Sequence, residues 1–329
     1  MLEDGRKPMT NTKLIVSHAP FWHTGDSLFQ QNLNFIIALL PAALFGVLNF
    51  GAPALGVLTL ATSSAMLWEV IMSVISKQKI AIGNMESAVI GLLLGMMVPA
   101  TMPWWVIITG TFVAVVLGKY AFGGTGGNPF HPTLVGIAIL MMSWPALLDF
   151  DTAYVSYQFD FTALAPLAAL KSQGTSALAS FSNYDLLMGK EVGGIGSTFG
   201  LGIIIGGIYL MLRGYARWEI VVSFIAGILI TATIFYLLHP DTYAPPIFHL
   251  FAGYTLIGAF FLAVENSSSP VHLIPMLIYG FLGGFMIILV RNIGIYPDGT
   301  ILSILLINLI NPLIDVIKPK ALGKGVPNA

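Results

Sequence analysis

Long apolar runs separated by short polar breaks dominate the chain, and many of them approach the roughly 20 residues that a helix needs to cross a hydrocarbon core. The first two cover Asn34 to Phe50 and Leu55 to Ile75, the second with Glu69 in its apolar sequence. A short run opens at Glu86-Ser87 and ends at Pro99, and a fourth extends from Pro103-Trp104-Trp105 to Lys119. A fifth occupies Leu134 to Leu148. Asp149 to Ser197 is polar, with acids at 149, 151, 160, 185 and 191, and is too polar to lie in lipid. The apolar pattern resumes at Phe199 to Leu212, Ile220 to Leu238, Phe248 to Val264, Leu273 to Val290 and Ile301 to Ile317.

This pattern predicts an all-α integral membrane protein of about ten spans. Composition agrees: 56% of the 329 residues are hydrophobic and 9% charged, with a mean hydropathy of +0.86, whereas soluble domains carry roughly 25% charged residues. Residues 1–26 are polar and precede the first run, so no cleavable signal is evident, and 1–33 read as a cytoplasmic tail. The expected divisions are then a first repeat at 34–148, an outward-facing polar loop at 149–197, a second repeat at 198–317 and a cytoplasmic tail at 318–329. With the N-terminus inside, only Lys171, Lys190 and Arg291 of the 14 basic residues fall outside, as the positive-inside rule asks.

The polar breaks carry the candidate chemistry. Gly123-Gly124-Thr125-Gly126-Gly127-Asn128-Pro129-Phe130-His131-Pro132 cannot continue either flanking helix, and its freed backbone groups need protein, water or ligand partners. Two readings fit it: a tight turn packed by small residues, or a backbone cradle for a flat cofactor built on Gly123, Gly124, Gly126, Gly127, Asn128 and Phe130. A second break, Glu265-Asn266-Ser267-Ser268-Ser269-Pro270, ends the eighth run. Glu69, Glu86 and Glu265 are candidates for a cation or proton path, since carboxylates at membrane depth are costly unless partnered or functional. The alternative is that Glu69 pairs with a neighbouring helix while Glu86 and Glu265 cap helix ends.

Gly91 to Pro103 and Lys119 resembles Gly258 to Pro270 and Arg291, which implies two inverted five-helix repeats whose short helices meet near the midplane. The chain has no cysteine, so iron–sulfur clusters, disulfides and thiol chemistry on it are excluded. The histidines show no metal-ligand spacing, and nucleotide fingerprints and hydrolase motifs are absent. A net charge of −1 offers no footprint for nucleic acid.

Glu86-Ser87-Ala88-Val89-Ile90-Gly91-Leu92-Leu93-Leu94, Gly118-Lys119, Phe122 to Pro132, Gly194-Ile195-Gly196-Ser197-Thr198, Phe248-His249-Leu250, Gly258-Ala259-Phe260-Phe261, Ser269-Pro270 and Tyr296-Pro297-Asp298-Gly299 together resemble the NqrB/RnfD family of membrane subunits, in order and spacing. Length and the short N-terminal tail are nearer to RnfD. The resemblance implies a multi-pass subunit of a prokaryotic inner (cytoplasmic) membrane, similar in fold to urea transporters. It also implies partner subunits that carry iron–sulfur centres and flavins, and a role in flavin-mediated electron transfer coupled to sodium or proton transport. Such a chain is a subunit of a translocase-type oxidoreductase rather than a catalyst alone, and its cofactor is a flavin, FMN or riboflavin.

One position departs from the family. Members carry FMN on a threonine in a motif resembling Ser-Gly-Ala-Thr-Pro-Leu-Ala, and the matching stretch here, Thr162-Ala163-Leu164-Ala165-Pro166-Leu167-Ala168, has Ala165 in its place. Alanine has no hydroxyl to esterify. Thr175, in Ser172-Gln173-Gly174-Thr175, and Thr162 are the substitutes, and a non-covalent flavin near Gly123 to Pro132 is the reading that needs neither. Two rival functions remain open at this level: a stand-alone channel or small-solute transporter on the same scaffold, and a non-flavinylated structural subunit of another respiratory complex.

Overall fold

A computed structural model describes residues 27–77, 82–161 and 164–317. The expected tails (1–26 of the N-terminal tail and 318–329) and the candidate Thr162 lie outside them. Among the described residues the fold is all-helical, without a strand, and five helices are long and apolar enough to cross a membrane: Leu28–Phe50, Ala52–Ile75, Trp104–Phe122, Trp218–Leu238 and Leu273–Asn292.

Helix α1 (Leu28–Phe50) starts at a capping box in which the Ser27 hydroxyl accepts from the Gln30 amide at 3.2 Å and Gln30 reaches back to the Ser27 amide. Gly51, at φ +73°, turns the chain directly into α2 (Ala52–Ile75), whose second residue is Pro53. A short α3 (Glu86–Met97) follows, then α4 (Trp104–Phe112), which continues as a π-helical turn over Val113–Leu117 towards Lys119. Helix α5 is Pro132–Ser143. The fifth apolar run was expected to reach Leu148, but the helix stops before Trp144-Pro145 and the rest forms a 3₁₀ turn, because Pro145 cannot accept a helical predecessor.

The polar region holds three short helices, α6 (Phe150–Ala153), α7 (Pro166–Gln173) and α8 (Asn183–Leu187). Its last residues fold back into the bundle: the amides of Ile195 and Gly196 donate to the carbonyls of Val98 and Met96 at 3.2 and 2.9 Å, and Ile195 is fully buried. They close the C-terminal end of α3.

Helices α9 (Gly200–Leu212) and α10 (Trp218–Leu238) lead into the largest difference from the apolar pattern. The eighth run was expected as one span from Phe248 to Val264. It is instead α11 (Pro246–Phe251) and α12 (Thr255–Ile257), the latter continuing as a π turn over Gly258–Leu262, with a break at Ala252–Tyr254. Gly253 takes φ +69° there, and a Cβ would overlap the Asp298 carboxylate. The freed backbone is satisfied by side chains: Tyr254 N–H donates to Asp298 at 2.7 Å, and Arg291 donates to the carbonyls of His249 and Ala252 at 2.7 and 3.2 Å. Helices α13 (Leu273–Asn292) and α14 (Thr300–Ile314) complete the bundle. Small residues set the closest packing, as on α13, where a methyl group at Gly284 would overlap the Phe224 carbonyl of α10.

Candidate functional site

Two polar constellations are built into this apolar bundle, each beside a cavity. The first gathers around Lys119, which the end of α4 delivers to a fully buried position. Its Nζ lies 2.8 Å from Glu69 Oε2 on α2 and 3.0 Å from Glu86 Oε2 in the first turn of α3. Glu69 also accepts from Ser87 Oγ and, at 3.0 Å, from the Tyr120 hydroxyl, while Glu86 accepts from Thr125 Oγ1 at 2.7 Å. Two carboxylates thus share one ammonium. The start of α3 also favours a negative Glu86 through the helix dipole.

The glycine stretch runs across this cluster. Gly123, Gly124 and Gly126 have φ values of +106°, +98° and +81°, the left-handed backbone that a glycine tolerates at little cost. Gly127 packs against the Phe122 carbonyl, and Phe130 meets the Phe122 ring edge-on. Asn128, 1% exposed, donates through Nδ2 to the Phe130 carbonyl and to Glu265 Oε1, both at 3.0 Å. Glu265 accepts further from Ser267 and Ser268 at 3.2 and 2.8 Å. Glu86, Glu265, Thr125, Gly126 and His131 line one cavity of about 290 Å³, into which Gln31 and Asn32 of α1 also open. The stretch therefore joins Glu86 and Glu265, which are 179 residues apart in sequence, at one polar cavity, and Glu69 lies behind it on the far side of Lys119. Lys119 is part of the internal repeat and of the Gly118-Lys119 motif in the sequence but is not among its candidate site residues, although it is the one basic residue that closes an apolar run just before the glycines.

The second constellation centres on Arg291 at the end of α13. Its guanidinium donates to Asp298 Oδ1 at 2.9 Å and to Thr255 at 2.7 Å, in addition to the two carbonyls at the α11–α12 break. Asp298 also accepts from the amide and hydroxyl of Thr300 at 3.0 and 2.7 Å. Beside it is a cavity of about 260 Å³ lined by Asp149, Phe150, Ala165, Glu191, Tyr254 and Asp298, with Ile137, Met141, Leu148 and Leu167 among its apolar walls. Ala165 precedes α7, and its amide donates to Asp151 Oδ1 at 2.6 Å. Burial raises the Asp151 carboxyl above the usual carboxylate range even with that amide as a donor. Glu191 is 1% exposed and its Oε2 has no hydrogen-bond partner among the described residues.

Thr175 stands apart from both cavities. Its hydroxyl donates to the Asp241 carbonyl at 2.9 Å in a partly exposed 3₁₀ segment, Gly174–Ser180. Among the described residues no group of three or more acids and histidines is placed to hold a metal ion.

A flavin on an ester bond does not fit the Ala165 cavity, because the residue at its rim ends in a methyl group. A ring held without a covalent bond does fit: the walls are apolar and aromatic, and one buried carboxyl oxygen lacks a partner.

The model of the NQR2, RnfD, RnfE family matches residues 15–323. The chain is similar to the D-type subunit of the Na(+)-translocating ferredoxin:NAD(+) oxidoreductase complex of Acetobacterium woodii, at 34% identity over 93% of this chain and 94% of the relative. The D-type subunit of the proton-translocating ferredoxin:NAD(+) oxidoreductase complex of Clostridium ljungdahlii is also 34% identical, over 91% and 93% of the two chains. Its counterpart in an ion-translocating oxidoreductase complex of Pectobacterium carotovorum is 30% identical over 94% and 98%.

Proposed function

The chain belongs to the NQR2, RnfD, RnfE family, and from that premise we propose that it is the D-type membrane subunit of an ion-translocating oxidoreductase complex of a prokaryotic inner membrane, working with iron–sulfur and flavin subunits. The observation that carries this reading is the match to relatives so named over more than nine-tenths of both chains. The absence of cysteine is consistent with it, because iron–sulfur centres then belong to partner chains.

The bundle is two inverted five-helix repeats, α1–α5 and α9–α14, with α11 and α12 as one broken element. Their common logic supports this: α4 and α13 each end in a buried cation, Lys119 or Arg291, that secures the broken or short helix of its own half. Inversion puts those cations at opposite faces, with the Glu86–Glu265 cavity cytoplasmic, the Ala165 cavity outward and the N-terminus inside.

The acid-rich cavity suits the ion path. Glu86 and Glu265 line it with Thr125 and Gly126, while Lys119 holds Glu69 and Glu86 in place. The Ala165 cavity suits a non-covalent flavin better than the glycine stretch does, since Asn128 is already committed to Glu265. A bound flavin would supply stepwise electron transfer there. Phe150, Tyr254 and the apolar side chains would hold its ring and exclude water, and Glu191 would meet its polar edge.

The test is a deletion of the coding sequence in the host. Inverted membrane vesicles from the deletion strain should lose redox-driven sodium or proton uptake, and the wild-type copy should restore it. Glu86→Gln and Glu265→Gln copies should restore assembly but not uptake. Undiminished uptake without the subunit would overturn the proposal, and passive conduction by the isolated protein in liposomes would favour the stand-alone channel.

A further inference from the structure

A third cavity, of about 240 Å³, lies where α10 and α13 end, against the C-terminal end of α7. Thr242 and Tyr243 follow α10, Arg291 and Asn292 close α13, and Lys171 belongs to the last turn of α7. All five line the cavity, and among the described residues no aspartate or glutamate does. It shares only Leu167 and Pro297 with the Ala165 cavity.

Two of its side chains hold donors that lack acceptors. Arg291 is 5% exposed and commits its terminal nitrogens to Asp298, Thr255 and two backbone carbonyls, which leaves the buried Nε with no partner among the described residues. The buried Nδ2 of Asn292 has none either. Unmade donors of this kind are costly inside a protein, so a ligand with acceptor oxygens relieves both. The charge agrees. A helix end exposes carbonyls whose partial negative charge turns anions away, but the Lys171 ammonium donates to the carbonyls of Arg291, Gly294 and Tyr296 and offsets that field. Asp298 neutralises Arg291, and Asp241, next to Thr242, is exposed and does not line the cavity. The positive charge of Lys171 is then left over.

Depth decides what kind of anion arrives. Both α10 and α13 are long and apolar enough to cross a membrane, so a cavity at their ends lies where a bilayer places its phosphates. The same two ends expose Leu237, Leu238, Ile293 and Ile295, the last at 90%, an apolar surface on which an acyl chain can lie. We propose that this cavity binds the phosphodiester of a membrane phospholipid, whose oxygens accept from Arg291 Nε and Asn292 Nδ2 while Lys171 balances its charge, and whose tail lies along the ends of α10 and α13. The lipid then fastens the polar region, through α7, to two spans of the second half.

The experiment is native mass spectrometry of the purified full-length protein, stripped of lipid in detergent and titrated with phosphatidylglycerol, with diacylglycerol of the same tails and with inorganic phosphate. One phosphatidylglycerol should bind at least tenfold more tightly than diacylglycerol. Asn292→Ala and Lys171→Met should each weaken it at least threefold, whereas Lys190→Met, at an exposed lysine of the same polar region that pairs with Asp185, should leave it unchanged. Phosphatidylglycerol bound no more tightly than diacylglycerol would overturn the phosphodiester, and that comparison needs no variant. An affinity untouched by both cavity variants, at unchanged elution volume, would overturn the site. Inorganic phosphate that displaces phosphatidylglycerol at equal concentration would keep an oxyanion site there and overturn the lipid as its occupant.

Discussion

Replacing Lys119 with methionine preserves most of the side-chain volume and removes the one cation that Glu69 and Glu86 share. Both acceptor oxygens lie within 3.0 Å of its nitrogen, and Lys119 and Glu69 are 1% and 2% exposed. At an effective dielectric of about 20 each contact is worth roughly 6 kcal/mol of Coulomb energy, much of it offset by desolvation of the three groups. The substitution leaves two buried carboxylates without their shared cation, and the expected loss is roughly 3–5 kcal/mol, as is typical of breaking a buried ion pair by removing one partner.

The double variant is the diagnostic. The second substitution Glu69→Gln should recover most of the deficit of Lys119→Met by removing the surplus charge. Tryptophan-monitored thermal unfolding in detergent reads the effect. A double variant no better than the single one would refute the charge-sharing argument and leave only lost packing.

Four further substitutions, at other sites, have expected outcomes. Gly284→Val should lower thermal stability by about 1–3 kcal/mol through overpacking against the Phe224 carbonyl, whereas Gly56→Ala on α2, where a methyl group meets nothing within 4 Å, should raise it by up to about 1 kcal/mol. Arg291→Met should cost about 3–5 kcal/mol, because Asp298 and the carbonyls at the α11–α12 break lose their donor together, and the break should become a proteolysis site. Because burial holds Asp151 above the usual carboxylate range, the folded state binds its proton more tightly. Its contribution to stability is therefore full at acid pH and is lost as pH rises through the folded value, so thermal stability in detergent should fall across that range in the wild type and less in Asp151→Asn.

Much of the scaffold could be read from the sequence because lipid leaves the chain few choices. Long apolar runs, such as those that became α2, α10 and α13, had to be helices, and their ends agree with the apolar pattern to within a few residues. The misreadings fall where a local signal competes with hydropathy. Trp144-Pro145 ended α5 early, and Gly253 broke a run that is apolar on both sides, at a point where Asp298 and Arg291, some 40 residues later, stand in for the missing helical hydrogen bonds.

The polar sites were legible as ingredients and not as combinations. A charge inside an apolar run announces itself, so Glu69, Glu86 and Glu265 stood out; that Glu69 and Glu86 share Lys119, while Glu265 is held by Asn128, depends on helix crossings that no spacing reveals. Glu191 gave no signal at all, because it lies in a region whose polarity read as solvated loop. Only when Gly193 to Ser197 turn back against the end of α3 does that glutamate become a buried group on the wall of a cavity that Ala165 also lines. That wall carries a buried carboxyl oxygen without a partner among the described residues, a feature set by the fold of the chain around it and by no local pattern of hydropathy or spacing.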